Sequence, residues 1–373
     1  MKEQILDASK IVLVTFLFTA LIMPIIKRIA IHVGAIDVPR ADEGHRHIHK
    51  KATPMLGGVG IFLGFLFGYM LFGEQSIRMN SILIGSFIII LTGIMDDIKP
   101  IRAYQKMIGH LIAACIIVFY GKITLDNITA FGFSLDFGIF APWITIFFIV
   151  ACTNIINLID GLDGLSGGVC SIFYLTIGII GFYQGRGGSL VMILTFIMLG
   201  STLGFLLHNF YPAKIFAGDC ATFMGFIISV ITLLEFKGPA LTSFFVPIMI
   251  LGIPILDTLF AIIRRLLKGQ PPFQADKKHL HHQLLGMNFS QRTTVLIIYG
   301  INLLFAAASI LYTIKDPVLG KIIYIIIFII VLWFVLHTTI ISDKNPTRTK
   351  KIEEKFSMFR KKGPKKKTKA AKK

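Results

Sequence analysis

Charged residues are scarce in this chain, and cysteine and tryptophan are scarcer still. Only 16% of the 373 residues are Asp, Glu, Lys or Arg, against 54% hydrophobic, which argues against an ordinary soluble globule. The four cysteines are Cys115, Cys152, Cys170 and Cys220. Three lie inside apolar runs and none has a paired external spacing, so no disulfide framework is implied. Glycine is plentiful, yet the run Gly57-Gly58-Val59-Gly60 lacks the spacing of a Walker loop or a dinucleotide fingerprint, so a soluble nucleotide fold is not supported. Those glycines are expected to let helices approach closely. The first apolar run follows Glu3 and Asp7, precedes Lys27 and Arg28, and has no small-residue cleavage site. It is expected to remain as a helix rather than leave as a signal peptide.

What the chain does have is apolar blocks. Blocks of roughly 17–25 apolar residues are long enough to cross a hydrocarbon core as helices, whose backbone groups are satisfied internally. The expectation is an all-α polytopic integral membrane protein with about eleven transmembrane helices. They fall near 6–26, 55–73, 81–95, 107–120, 140–158, 166–182, 190–207, 222–234, 240–263, 294–313 and 321–341. The third, fourth and eighth are short. Segment 121–139, with alternating residues and glycine at both ends, reads as a short external hairpin.

With the N-terminus outside, the internal segments hold 30 of the 38 Lys and Arg, and 16 against 8 without the tail. Lys and Arg concentrate on the cytoplasmic side, which places the C-terminus there. Residues 1–342 are expected to form the transmembrane catalytic domain. Residues 343–373 form a basic cytoplasmic tail with too little apolar content to fold. That tail is read as solvated rather than as a nucleic-acid site.

On this topology the unusual polar clusters gather on the internal face. Asp96-Asp97 closes the third helix and is followed by Lys99, Arg102 and Lys106. Adjacent carboxylates at a membrane boundary persist best with a cation or proton between them. One can bind Mg²⁺ or take a proton, and Lys106 can hold a lipid phosphate. Asn154, Asn157, Asp160 and Asp163 recur every three residues in TNIINLIDGLDGLSGG, a spacing expected to align them on one side of a helix that ends in a glycine-rich turn. Such a surface suits a nucleoside; the alternative is a polar seam between helices, which two carboxylates make costly. Phe216-Ala217-Gly218-Asp219 offers an aspartate at a helix start, as cap or cation ligand, and a Phe that either stacks on a base or simply packs. Lys277-Lys278-His279-Leu280-His281-His282 suits a polyanion such as a diphosphate. His45, His47 and His49 form a weaker run read as loop residues.

Together these clusters resemble the polyprenyl-phosphate N-acetylhexosamine-1-phosphate transferase family, with motifs spread from about residue 45 to 285. The His-x-His-His form at His279, His281 and His282 is more like the branch that starts teichoic-acid, O-antigen or related polymers than the phospho-muramoyl-pentapeptide branch. The resemblance implies that Asp96 and Asp97 work at the lipid phosphate, with Asp96 a candidate base, and that Lys106 is a basic position of that motif. It implies that Asn157, Asp160 and Asp163 hold nucleotide and phosphates, that Asp219 ligates magnesium, and that the three histidines lie on the diphosphate side. Lys50 and Thr53 match nucleotide-side positions. Cys220-Ala221-Thr222 and His110 depart from the family, which more often has glycine and serine after the aspartate and glutamine at the second position.

The implied reaction takes UDP-N-acetylglucosamine and undecaprenyl phosphate to undecaprenyl-diphospho-N-acetylglucosamine and UMP. Mg²⁺ is the expected cofactor, with Mn²⁺ as a substitute. A bacterial plasma membrane, a cytoplasmic-face active site and the bilayer as partner follow from the resemblance, with a homodimer left open. The alternatives are the pentapeptide branch, a secondary transporter, whose ionisable residues would approach the midplane, and a lapsed lipid-binding relative.

Overall fold

The computed structural model describes residues 2–38, 52–130, 133–235, 245–267 and 280–337. The histidine run at 45–49, Lys50, His279 and the basic tail lie outside the described residues.

The apolar blocks fold as helices. In chain order they are α1 (Lys2–Val33), α2 (Gly57–Phe72), α3 (Ile77–Ile98), α4 (Ala103–Cys115), α5 (Ala141–Ile159), α6 (Leu165–Tyr183), α7 (Leu190–Asn209) and α8 (Thr222–Glu235). Then come α9 (Phe245–Ile250), α10 (Gly252–Leu267), α11 (Leu280–Gly286), α12 (Gln291–Ile314) and α13 (Pro317–His337). Eight helical stretches among the described residues are long and apolar enough to cross a membrane. The chain is therefore an all-α, multi-pass membrane protein. α2, with 16 residues, and α8, with 14, are shorter than those eight.

Polar punctuation sets several boundaries. The hydroxyls of Ser76, Ser189 and Ser290 accept the backbone N–H groups of Met79, Met192 and Thr293 at 3.1, 3.4 and 3.2 Å, capping α3, α7 and α12. α4 continues through a π-helical turn, Ile116–Tyr120, so the block read at 107–120 starts four residues earlier. The block expected as one crossing at 240–263 is broken: Leu251 separates α9 from α10. The hairpin expected in 121–139 is present as β1 (Asn127–Ala130) paired antiparallel with β2 (Phe133–Asp136). A shorter pair, Ile36–Asp37 with Thr53–Pro54, ties the end of α1 to the approach to α2.

α8 is the axis of the bundle. It is apolar all round, as a helix enclosed on every side must be, and every residue from Thr222 to Leu233 is buried. α5 and α3 pack along it, α7 packs between α1 and α6, and α12 packs against α6 and α13. α13 keeps most of its apolar surface exposed, the face that lipid would cover.

Candidate functional site

The ends of α3 and α5, the start of α4 and the loop before α8 meet at one end of the bundle. Lys106, on the first turns of α4, is the hub. Its Nζ lies 2.7 Å from Asp96 Oδ2 and donates a short hydrogen bond to Asp219 Oδ2. Asp96 also accepts the Ile101 N–H at 2.9 Å, which closes the turn between α3 and α4. Asp97 points inward, 6% exposed. Its Oδ1 accepts the Asp219 backbone N–H at 2.7 Å, while Oδ2 is buried without a hydrogen-bond partner.

The loop that delivers Asp219 is held by backbone bonds. Phe216 N–H donates to Pro54 C=O at 2.8 Å, and the N–H groups of Gly57 and Gly58 donate to the carbonyls of Phe216 and Ala217 at 2.7 and 3.0 Å. Two orphan donors at the start of α2 are thereby satisfied by the site loop. Gly58 is where the chains come closest, since a Cβ there would lie 2.5 Å from the Cys220 carbonyl carbon. Gly218 has φ of 70°, and a Cβ on it would overlap the Asp97 carboxylate, so both conformation and space demand glycine. Asp219 then opens a single 3₁₀ turn, Asp219–Ala221, and its backbone carbonyl accepts the Thr222 hydroxyl at 2.7 Å. Its carboxylate faces Lys106 instead of capping α8. Burial pushes the Asp219 carboxyl up from the usual carboxylate range, opposed by the Lys106 ammonium and by the Asn157 side chain bonded to it.

α5 stops at Ile159. Asn154 and Asn157 therefore lie on the helix, Asp160 caps it, and Asp163 sits beyond it in the turn. The expected single polar face is cut in two. Asp160 accepts the Ser166 hydroxyl at 2.5 Å. Burial pushes its carboxyl up to about 7, with Ser166 pulling it down and the Asp219 and Asp163 charges pushing it up. Asp163 turns the other way and accepts the Ala213 N–H at 2.9 Å. Asn209 reinforces that join, accepting from Gly164 N–H and donating to Ile215 C=O, both at 2.9 Å. Asp163 and Asn209 thus dock the α7–α8 loop onto the α5–α6 turn.

Two further contacts complete the site. The Nδ2 of Asn154 lies 3.3 Å from Nδ1 of His110, one turn along α4 from Lys106. His281, 3% exposed, rests on the α5–α6 turn: a Cβ on Gly161 would be 2.7 Å from its Nε2. The His282 ring stands 4.3 Å from the His281 ring, centroid to centroid.

Oxygen donors dominate: carboxylates of Asp96, Asp97, Asp160 and Asp219, with an amide at Asn157. That set suits a hard cation such as Mg²⁺, and the buried, partnerless Oδ2 of Asp97 is an orphan acceptor beside it. Among the described residues no three His, Cys, Asp or Glu converge as a ready-made cage. Mg²⁺ commonly takes one or two carboxylates and completes its shell with water and substrate phosphate, so the residues present fit that mode. The Cys220 thiol beside them is not a nucleophile, because burial and then the Asp97 charge push its pKa far up.

Residues 79–235 match the model of glycosyl transferase family 4. Over 94% of its length the chain is 38% identical to the probable undecaprenyl-phosphate N-acetylglucosaminyl 1-phosphate transferase of Bacillus subtilis, of which it covers 94%. The chain belongs to glycosyl transferase family 4. Within the family it is also 30% identical to the decaprenyl-phosphate N-acetylglucosaminephosphotransferase of Mycobacterium tuberculosis, over 78% of this chain and 80% of that one. It is 27% identical to the undecaprenyl-phosphate alpha-N-acetylglucosaminyl 1-phosphate transferase of Escherichia coli, over 82% and 84%.

In this family 4 chain the matched stretch runs from α3 to the end of α8 and carries the whole acidic cluster. Of the residues picked from sequence, Asp96, Asp97, Lys106, Asn157 and Asp219 form one cluster. Asp160 stands close enough to feel the Asp219 charge. Asn154 lies one helical turn away on α5, His281 abuts the α5–α6 turn with His282 beside it, and Asp163 faces the docking loop. Thr53 is buried in the short strand, and half-buried Phe216 belongs to the loop paired with α2. Sequence reasoning gave no role to Ser166, Asn209 or Asp257. Ser166 and Asn209 look like ordinary helix residues; Asp257 had a signal, a lone carboxylate inside the apolar run Gly252-Ile253-Pro254-Ile255-Leu256-Asp257.

Proposed function

We propose that this chain transfers N-acetylglucosamine-1-phosphate from UDP-N-acetylglucosamine to undecaprenyl phosphate. A lipid phosphate oxygen attacks the β-phosphorus, the bond between that phosphorus and the oxygen bridging to the α-phosphorus breaks, and UMP leaves. The observation that carries the reading is Lys106 held between Asp96 and Asp219 at the polar end of an apolar bundle. A cation there meets a phosphate whose prenyl tail stays in lipid, while the donor arrives from water. Undecaprenyl phosphate and the N-acetylglucosamine-1-phosphate group are those in the names of the Bacillus subtilis and Escherichia coli relatives. The alternative of transport is disfavoured because the clustered carboxylates Asp96, Asp97, Asp160 and Asp219 lie at helix ends and in the adjoining loops rather than midway along the helices.

The Lys106 ammonium neutralises incoming phosphate as its carboxylate contacts loosen, and the fixed surroundings make that charge pairing stronger than in water. Asp160, pushed up to about 7, exchanges a proton near neutral pH beside the reacting groups. Asn157 orients Asp219 through their hydrogen bond. His281 and His282 line the diphosphate side of the α5–α6 turn. Asp219, with Asp97 behind it, would hold Mg²⁺, which would supply charge neutralisation of the diphosphate and of the departing UMP. The count of Lys and Arg favours the cytoplasmic face for this end of the bundle, and the bacterial relatives favour a bacterial plasma membrane.

The test uses detergent-purified protein with labelled UDP-N-acetylglucosamine and undecaprenyl phosphate, with and without Mg²⁺, beside Asp219→Ala. Lipid-linked label that needs both metal and Asp219 is expected. Transfer only from a muramoyl-pentapeptide donor would move the chain to the sister branch, and transfer from neither donor would sink the enzymatic reading.

A further inference from the structure

One buried carboxylate has no part in the chemistry above. Asp257 lies in the second turn of α10 and is 8% exposed, in a small cavity walled by Ile159, Val169, Ile253 and Ile298 that His281 also lines. A carboxylate in such apolar company is costly unless it is hydrogen-bonded. Its Oδ1 accepts the backbone N–H of Leu280 at 2.7 Å. That amide opens α11, the seven-residue helix that carries His281 and His282.

So short a helix has little stability of its own, and its first-turn N–H groups need acceptors from elsewhere. Asp257 supplies one across 23 residues of sequence. The next residue, His281, is the one seated on Gly161 between Asp160 and Asp163. The carboxylate therefore fixes the start of α11, and that fixes the height and tilt at which the imidazole meets the α5–α6 turn.

We propose that Asp257 is a positioning residue for the transfer reaction, acting through Leu280 to hold His281 against the Asp160–Asp163 turn. The proposal rests on the reading given under Proposed function, because it assigns His281 to the diphosphate side of that reaction. Asp257 acts on the reaction through α11, and an acceptor oxygen in the same place is expected to serve as well.

The experiment compares wild type with Asp257→Ala, Asp257→Asn, His281→Ala and the double variant Asp257→Ala/His281→Ala. Lipid-linked product gives kcat and KM, and hydrogen–deuterium exchange follows the peptide spanning 280–286. Asp257→Ala is expected to lower kcat by roughly tenfold or more and to speed exchange in that peptide. Asp257→Asn keeps an acceptor and should stay within about threefold of wild type, with exchange unchanged. The double variant should be no worse than the worse single one, because both remove the same imidazole placement. Multiplying losses, an Asn variant as impaired as Ala, or unchanged exchange in Asp257→Ala would each overturn the proposal. If Asp257→Ala yields no monodisperse protein, Asp257→Leu fills the same space without an acceptor and carries the same expectations. A wild type without turnover would defeat the reading of the activity, and the exchange arm would still decide whether Asp257 anchors α11.

Discussion

Two acid–base pairings stand at opposite ends of α8. At one end Arg186 Nη1 donates to Glu235 at both the backbone carbonyl, 2.9 Å, and Oε1, 3.1 Å. One cation there meets one anion and a helix-end carbonyl, and the α6–α7 connection is clamped to the end of α8. At the other end Lys106 meets both Asp96 and Asp219, with Asp97 and Asp160 close by. The first arrangement is balanced as it stands. The second has more carboxylates than cations, a surplus that burial makes expensive and that further positive charge would relieve. Balance marks a structural clamp, and imbalance marks a site prepared for other charged species.

The sharpest break in that contrast is Asp219→Ala. Turnover is expected to fall by about 10²–10³-fold, the scale for removing one electrostatic contact to a developing charge. Glu235→Gln should leave kcat within about twofold, since it lies at the far end of α8. Both are read as rates of lipid-linked product, and equal losses would erase the distinction between the two ends.

Lys106→Met should cost somewhat less, about 10²-fold, because a metal would still neutralise part of the phosphate charge. Its thermal midpoint should also fall, since Asp96 and Asp219 lose their shared cation. A variant with normal turnover would show that Lys106 only holds the carboxylates together.

At the clamp, Arg186→Met leaves Glu235 buried without its cation. The Arg186 side chain is 40% exposed and that of Glu235 1%. Solvent screening on the arginine side therefore discounts the loss to about 1–3 kcal/mol, below that of a fully buried pair. Unfolding in detergent should register it with kcat unchanged, and Arg186→Met/Glu235→Met should recover most of the stability.

The imbalanced end was largely legible in the sequence because a carboxylate in an apolar run is conspicuous. Asp96-Asp97, the Asn154–Asp163 repeat and Asp219 all stood out, and the structure brings most of them together. What periodicity hid was direction. The span read at 140–158 ends within a residue of α5, yet a three-residue repeat does not reveal that Asp163, beyond that end, turns to Ala213 instead of joining Asn157. The break at Leu251 did carry a signal, Gly252 and Pro254 just after it, which the unbroken apolar run outweighed. Asp257 was visible as a charge, yet its partner is a backbone amide 23 residues away, and backbone amides carry no sequence signature.

The smallest effect tests the imbalance by titration. Asp160 is pushed up to about 7, and its carboxylate is the form that accepts from Ser166. Activity that requires this carboxylate is full only well above pH 7, is about half near that value, and falls further as pH drops through it. Ser166→Ala removes a bond that favours the charged form, so the carboxyl rises further, and the acidic limb of kcat/KM should move to higher pH by about one unit. About two pH units above the shifted value the variant and wild type should nearly coincide, because both carboxylates are then charged. A limb that stays in place while the whole curve drops would mean that Ser166 merely orients the α5–α6 turn; a limb that moves as expected would identify Asp160 as the group that titrates at this end of the bundle.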